Sequence, residues 1–325
     1  MYCYNELKDL ILKKSESDSS LKKEPQNLYE PVSYLLSIGG KRIRPVLTLM
    51  VVDLFEGNVE KAVGAAYGIE MFHNFTLMHD DIMDKALFRR GFQTVHKKWN
   101  ENTAILSGDA MLLLANQLML EVDDDILREV MVLYNKTGLL VCEGQQYDMN
   151  YESEKRITTN QYIEMIRLKT AVLLGGCLKL GAVMARTTSS NKELIDDFGV
   201  NLGISFQIED DYLDSFGDFE KFGKNIGGDI LSNKKTFLLV KAYEMADAQT
   251  QKELDFWINN QHYQAEEKIK AVKEIYTKLN IDRLALEESK KYFNAAIQKF
   301  EKIEAKSERK KELYTFAHLL IGRQS

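Results

Sequence analysis

The sequence predicts an all-α protein, and three observations carry that reading. Only three prolines occur, Pro25, Pro31 and Pro45, so nothing after Pro45 is forced to break a helix by proline chemistry. The long segments Val59–Lys85, Asn102–Val122 and Asn191–Ser215 carry apolar residues at three- and four-residue spacing, the period of a helix with one buried face. Alternating strand-like runs are scarce. With 325 residues, 45% of them hydrophobic and 28% charged, the chain can bury a large core.

Residues 1–30 read as an N-terminal helix followed by a polar connection over Ser15–Asn27. No later linker is long enough to divide the chain, so a single all-α domain over 1–325 is expected. After a polar stretch at Tyr147–Asn160, Thr158-Thr159-Asn160-Gln161 fits a capping box that opens a helix through Lys179. Phe216–Asn233 holds Gly217, Gly223, Gly227 and Gly228 between two apolar helical segments. At about eighteen residues it exceeds the usual connection and reads as a functional loop. The C-terminal third alternates charged and apolar residues, as surface-covering helices do.

The net charge of −6 argues against a general nucleic-acid binder, which needs a dominant basic surface. Cys3, Cys142 and Cys177 are odd in number and lack metal-ligand spacing, so they read as reduced thiols in a cytoplasmic protein. Glu6, Asp9 and the charged run Lys13–Glu24 leave no signal peptide to expect. No apolar stretch approaches the roughly 20 residues of a membrane span. A greasy substrate would therefore have to be held inside the fold.

The most informative pattern is a carboxylate group that occurs twice, Asp80-Asp81-Ile82-Met83-Asp84 and Asp210-Asp211-Tyr212-Leu213-Asp214. A helix advances about 100° per residue, so the first and last Asp of each group lie one turn apart on one face. Like charges at that spacing destabilise a helix by a few tenths of a kcal/mol. Meeting this repulsion twice, beside apolar residues, points to a bound cation, and hard oxygen ligands with room for water and phosphate suit Mg²⁺. One such group alone would read equally well as a solvated acidic helix end.

Basic residues gather around the two groups. His73 precedes Asp80 by seven residues, two turns on nearly the same face, and reads either as a donor to an anion or as a structural histidine. Arg89 and Arg90 follow the first group, placed for surface ion pairs or for forked binding of phosphate oxygens. In Gly39-Gly40-Lys41-Arg42-Ile43-Arg44, two glycines expose backbone N–H groups and Lys41 and Arg44 add charge, the makings of a second phosphate cradle. Lys169 falls mid-helix among apolar residues, where a lysine either pairs with an anion or snorkels to the surface. Gln207 places an amide before the second group, and Lys224 and Lys234 flank the glycine-rich loop, which reads as a lid. Two anionic sites sharing one metal-binding cavity above an apolar pocket suit a reaction between two diphosphates on hydrocarbon chains.

At this point the chain resembles the trans-isoprenyl (polyprenyl) diphosphate synthases, short-chain type. The likeness runs from about Leu28 to the C-terminal helices through Gly39–Pro45, His79–Asp84, Arg89–Gly91, Ser107–Asp109, Glu143–Asp148, Leu168–Thr170, Phe206–Asp214, Phe222–Asp229 and Asn233–Thr236. The resemblance implies antiparallel helices around a deep cavity, usually as a homodimer. It implies about three Mg²⁺ held on an allylic diphosphate, with Asp80, Asp84 and Asp210 as the most direct ligands. Asp81, Asp211 and Asp214 would be ligands or their support. Arg89, Lys169, Lys224 and Lys234 would grip the allylic diphosphate, and Lys41, Arg44, His73 and Arg90 would hold isopentenyl diphosphate. Thr170 and Gln207 would direct partial negative charge at the allylic cation.

In this family a bulky residue just before the first Asp group floors the hydrocarbon tunnel. Phe75 lies five residues upstream of Asp80, about 7.5 Å along the helix, while wheel geometry puts Thr76 on the metal face. The aromatic floor resembles that of short-chain enzymes, and geranylgeranyl diphosphate (C20) is the expected product, with farnesyl (C15) or a longer chain as the alternatives. A class I terpene cyclase would replace the second Asp group by another metal motif, and a non-catalytic subunit would lose Asp or basic residues. The reduced tail Gly322-Arg323-Gln324-Ser325 departs from the family's basic C-terminus.

Overall fold

The computed structural model describes residues 1–217, 227–260 and 262–321. The described residues are helical almost throughout, as the scarcity of proline after Pro45 permits. In order it forms α1 (Tyr4–Ser17), a 3₁₀ turn (Ser19–Leu21), α2 (Gln26–Ser37), α3 (Ile43–Leu54) and α4 (Val59–Met83). A hairpin of β1 (Phe88–Arg89) and β2 (Phe92–Gln93) leads into α5 (Val95–Lys98), α6 (Glu101–Met119) and α7 (Asp124–Ser153). Then come α8 (Thr159–Ile166), a π-helical turn (Arg167–Ala171), α9 (Val172–Met184) and α10 (Ser189–Phe216). The last elements are α11 (Gly228–Leu231), α12 (Phe237–Met245), α13 (Ala248–Asn259), α14 (Ala265–Lys278), α15 (Ile281–Glu301) and α16 (Ser307–Ile321).

The expected helices Val59–Lys85, Asn102–Val122 and Asn191–Ser215 appear as α4, α6 and α10. The capping box is present: Thr158 caps α8 through the Gln161 N–H, and the Gln161 side chain accepts from the Thr158 N–H. That helical segment continues past Lys179 to Met184, interrupted by the π-helical turn. Tyr147–Ser153, polar in sequence, is the last part of α7, so the true connection is short. The hairpin pairs Phe88 with Gln93 and Arg89 with Phe92. Its two-residue turn, Arg90-Gly91, has φ +53° and +82°, the left-handed pair that a tight hairpin demands.

The described residues cluster into two compact units. The first comprises 1–134, 177–192 and 304–313, and the second the described residues within 135–176, 193–303 and 314–321. In the first, α3 is buried from Pro45 to Leu54 and reads as a central helix, apolar nearly all round. Gly68 on α4 lets α6 approach closely, because a Cβ there would lie 2.7 Å from the Met119 methyl. In the second, Tyr162, Ile166, Ile204, Ile208, Phe237, Leu254, Ile275 and Ile281 pack into one apolar cluster. A buried contact of 3.0 Å between the Ser205 and Ser289 hydroxyls ties α10 to α15. No helix among the described residues is long and apolar enough to cross a membrane.

Candidate active site

In the first unit the Gly39–Arg44 segment makes an unusual turn before α3. Gly39 and Gly40 have φ +86° and +147°, and Arg42, the residue before α3, has φ +54°. A left-handed arginine is strained by about 1 kcal/mol. The strain is held by burial and pairing: the Arg42 guanidinium lies 2.6 Å from Glu70 Oε1 on α4 and also donates to the Leu36 carbonyl. Asn74, one turn along α4, donates to the same Glu70 oxygen at 3.0 Å.

This scaffold brings together residues that the sequence assigned to one diphosphate. Arg44 Nη1 lies 3.1 Å from His73 Nε2. Burial first, and then the charges of Arg44, Arg90, Arg89 and Arg42, hold His73 well below its ordinary range. The ring is therefore neutral, and Nε2 accepts from Arg44. Arg90 reaches back from the hairpin turn to donate to the Gly39 carbonyl. A Cβ on Gly40 would lie 2.8 Å from Arg90 Nη1, so glycine is what lets the guanidinium lie against the backbone. Lys41 is exposed beside them. Arg44 Nε is buried and meets no acceptor, and burial lowers the pKa of both Arg44 and Arg90. A buried donor without an acceptor beside further cations fits an anion.

The first carboxylate group ends α4. Asp80 is half-buried and Asp84, at the C-cap, is exposed, one turn apart as expected. Asp81 turns away from that face: it is 2% exposed, and Arg89 Nε donates to both its oxygens at 2.9 Å. Arg89 Nη2 also reaches Asp80 Oδ2 at 3.4 Å. Burial raises Asp81, and the Arg89 pairing opposes that shift. Arg89 thus pairs with both neighbouring carboxylates of the first group. Phe75 and Thr76 are half-buried on α4. The Phe75 ring is 5.6 Å from Phe72 and 4.8 Å from His79, and the Thr76 hydroxyl donates to the His73 carbonyl at 2.8 Å.

The second unit carries the other carboxylate group near the end of α10. Asp210 and Asp214 are half-buried one turn apart, and Asp214 Oδ2 accepts the Asp229 N–H at 2.9 Å. Asp211 is buried, like Asp81 in its own group. It accepts from the Tyr162 hydroxyl at 2.5 Å, the Phe237 N–H at 2.9 Å and Gln207 Nε2 at 3.1 Å. Burial pushes its carboxyl up to about 7.

Lys169 lies in the π-helical turn, a feature that often marks functional sites. Its Nζ is 2.5 Å from Asp148 Oδ2 on α7. Gly144 explains how close the two segments come, since a Cβ there would lie 2.1 Å from the Lys169 backbone nitrogen. Thr170 donates to Gln207 Oε1 at 3.2 Å, so these two side chains meet. Lys234 is exposed, with Nζ 4.0 Å from Asp229 Oδ1. Lys224 and the centre of the glycine-rich loop, residues 218–226, lie outside the described residues, as does the tail 322–325.

Among the described residues no three His, Cys, Asp or Glu side chains already converge on a metal position. The donor set nevertheless fits Mg²⁺. Asp80 with Asp84, and Asp210 with Asp214, are carboxylate pairs one turn apart, leaving coordination positions for phosphate and water. Sequence reasoning missed Asp148, Glu70 and Tyr162. Asp148 stood within a quoted motif, but only the fold shows that it faces Lys169.

The profile of the polyprenyl synthetase family matches residues 25–276. A geranylgeranyl diphosphate synthase of Methanosarcina mazei is 37% identical over 222 residues, 68% of this chain and 68% of its own. One from Sulfolobus acidocaldarius is 35% identical over 285 residues, 86% of each chain. A crystal structure of a geranylgeranyl pyrophosphate synthase superposes with a TM-score of 0.94 at 42% identity, covering 100% of both chains.

Proposed function

The chain belongs to the polyprenyl synthetase family and is a prenyltransferase, and from that premise we propose that it condenses isopentenyl diphosphate head-to-tail with allylic diphosphates to give geranylgeranyl diphosphate. One observation carries the two-diphosphate reading. The cationic cradle of Arg44, Arg90 and Lys41 is built around the positive-φ turn at Gly39, Gly40 and Arg42 and holds a buried guanidinium N–H with no acceptor. A second diphosphate is what distinguishes chain elongation from cyclisation.

Asp80, Asp84, Asp210 and Asp214 would hold Mg²⁺ on the allylic diphosphate, with Asp81 and Asp211 as their support. Bound Mg²⁺ would supply positive charge that stabilises the leaving diphosphate. Lys169 and Lys234 add to that charge, with Lys224 assigned to the same task from the sequence. Arg89 is assigned to grip the same diphosphate, and its pairing with Asp81 and Asp80 keeps the first group in place. As the allylic C1–O bond breaks, the Gln207 carbonyl and Thr170 oxygen face the developing cation with partial negative charge. Arg44, His73, Arg90 and Lys41 hold isopentenyl diphosphate, whose C4 attacks the allylic C1. Loss of a proton from C2, taken by the released diphosphate, completes the new double bond. No protein nucleophile is required.

Phe75 is assigned as the floor that ends growth at C20, with Thr76 beside it. Leu106 (61% exposed), Leu113 (65%) and Leu120 (54%) recur at seven-residue spacing on or just after α6 and support a homodimer. The test is to incubate the purified chain with Mg²⁺, isopentenyl diphosphate and, separately, C5, C10 and C15 allylic diphosphates. A discrete C20 product that disappears with EDTA is expected. No elongation from any primer by folded protein would reject the reading.

A further inference from the structure

Tyr162 on α8 is 1% exposed, in the apolar cluster of the second unit, with its ring edge-on to Phe237 at 6.1 Å. A phenylalanine would fill nearly the same space without a polar atom to satisfy. The hydroxyl instead donates to Asp211 Oδ2 at 2.5 Å, and the same oxygen accepts the Phe237 N–H at 2.9 Å. The other oxygen, Oδ1, accepts Gln207 Nε2 at 3.1 Å, and Gln207 Oε1 in turn accepts from the Thr170 hydroxyl at 3.2 Å.

This chain of contacts decides an orientation. A primary amide has one donating and one accepting end, and Asp211, as a carboxylate, only accepts. Turning Gln207 over would set its carbonyl oxygen against Asp211 Oδ1, acceptor against acceptor. Asp211 therefore fixes Oε1 toward Thr170. The carboxylate is itself held by two donors on its far oxygen, one the Phe237 backbone N–H and the other the Tyr162 hydroxyl.

We propose that Tyr162 is a positioning residue for the ionisation step: it clamps Asp211, so that Asp211 holds the Gln207 amide and the Thr170 hydroxyl with their oxygens aimed at the allylic cation. The inference rests on the function proposed above. A side chain that acts only by aiming a dipole at a developing cation changes kcat and leaves the binding of both diphosphates alone. Because it acts through Gln207, its effect vanishes when Gln207 has no amide to aim.

The test is a double-mutant cycle on the full chain with Tyr162→Phe, Gln207→Leu and both together, assayed well below the melting temperature of the least stable variant. Tyr162→Phe is expected to lower kcat about tenfold with both KM values within twofold of wild type. In the Gln207→Leu background the same change is expected to cost less than twofold. Asp211→Asn provides a second arm that does not depend on how Tyr162→Phe folds. Its amide nitrogen would face Gln207 and turn that side chain over, giving a larger kcat loss that also vanishes without Gln207. Losses that multiply in the double variants, or an unchanged kcat in both single variants, would overturn the inference. A wild-type chain that makes no prenyl product would overturn the functional reading itself.

Discussion

Lys169 Nζ lies 2.5 Å from Asp148 Oδ2, with the two side chains 24% and 13% exposed. A lysine proposed to hold a diphosphate is therefore also the partner of a carboxylate. Incoming phosphate oxygens would compete with Asp148 for that charge. Asp148→Asn should destabilise the free protein by about 1.5–3 kcal/mol, the order expected for a hydrogen bond to a charged group, and so lower its melting temperature. It should also increase the stabilisation given by an allylic diphosphate analogue with Mg²⁺ and lower the allylic KM several-fold. Thermal melts with and without the analogue read both effects, and a smaller ligand-induced shift would contradict this account.

Arg89 secures Asp81 through the geometry of its fork. Arg89→Lys keeps the charge but cannot donate from one planar group to both carboxylate oxygens. The substitution should destabilise by about 1–2 kcal/mol, and Arg89→Ala by about 3 kcal/mol or more, because it leaves a buried carboxylate without its cation. Chemical denaturation would show this order, and equal losses would mean that only charge matters.

His73 gives a pH signature. Its folded-state value is depressed, chiefly by burial and by Arg44, so the unfolded chain takes up the proton more readily. Its contribution to stability is intact above the unfolded histidine value near 6.5 and is lost as pH falls below it, by up to about 1.4 kcal/mol per pH unit. Asp211, raised to about 7, works in the opposite direction between its unfolded value and that pH, so the whole-protein profile mixes the two. The difference between wild type and His73→Gln isolates the histidine. The variant should gain on wild type steadily from pH 6.5 downward and run parallel to it above pH 7.

Phe75 packs against Phe72 and His79, which keeps its ring from swinging aside. Phe75→Ala should open the proposed floor and shift products to C25 and beyond, with the rate of the first condensation changed less than threefold. Chromatography of dephosphorylated products would show the shift. An unchanged distribution would place the floor elsewhere.

The helices were legible because their period is strict and proline is confined to Pro25, Pro31 and Pro45. The two aspartate groups and the Gly39–Pro45 segment were legible because charge repulsion and paired glycines are costly unless something uses them. What escaped was which member of each cluster faces which way. Asp80 and Asp81 are equal as letters, yet Asp81 turns to Arg89 because the tight Arg90-Gly91 turn returns that arginine to α4. Arg42 and Arg44 likewise stand two apart, and only the left-handed backbone at Arg42 sends one to Glu70 and the other to His73. The π-helical turn around Lys169 has no local sequence mark. It lies where the Lys169 backbone comes close to Gly144, some 25 residues away in the chain.

The most direct test of prenyl transfer is the ratio of diphosphate released to isopentenyl diphosphate consumed, measured together with Mg²⁺ and a C5 allylic primer. One diphosphate per isopentenyl unit is expected, both ceasing with EDTA, with three units added per primer at completion. Diphosphate released from an allylic substrate without consumption of isopentenyl diphosphate would contradict prenyl transfer and indicate cyclisation or hydrolysis instead.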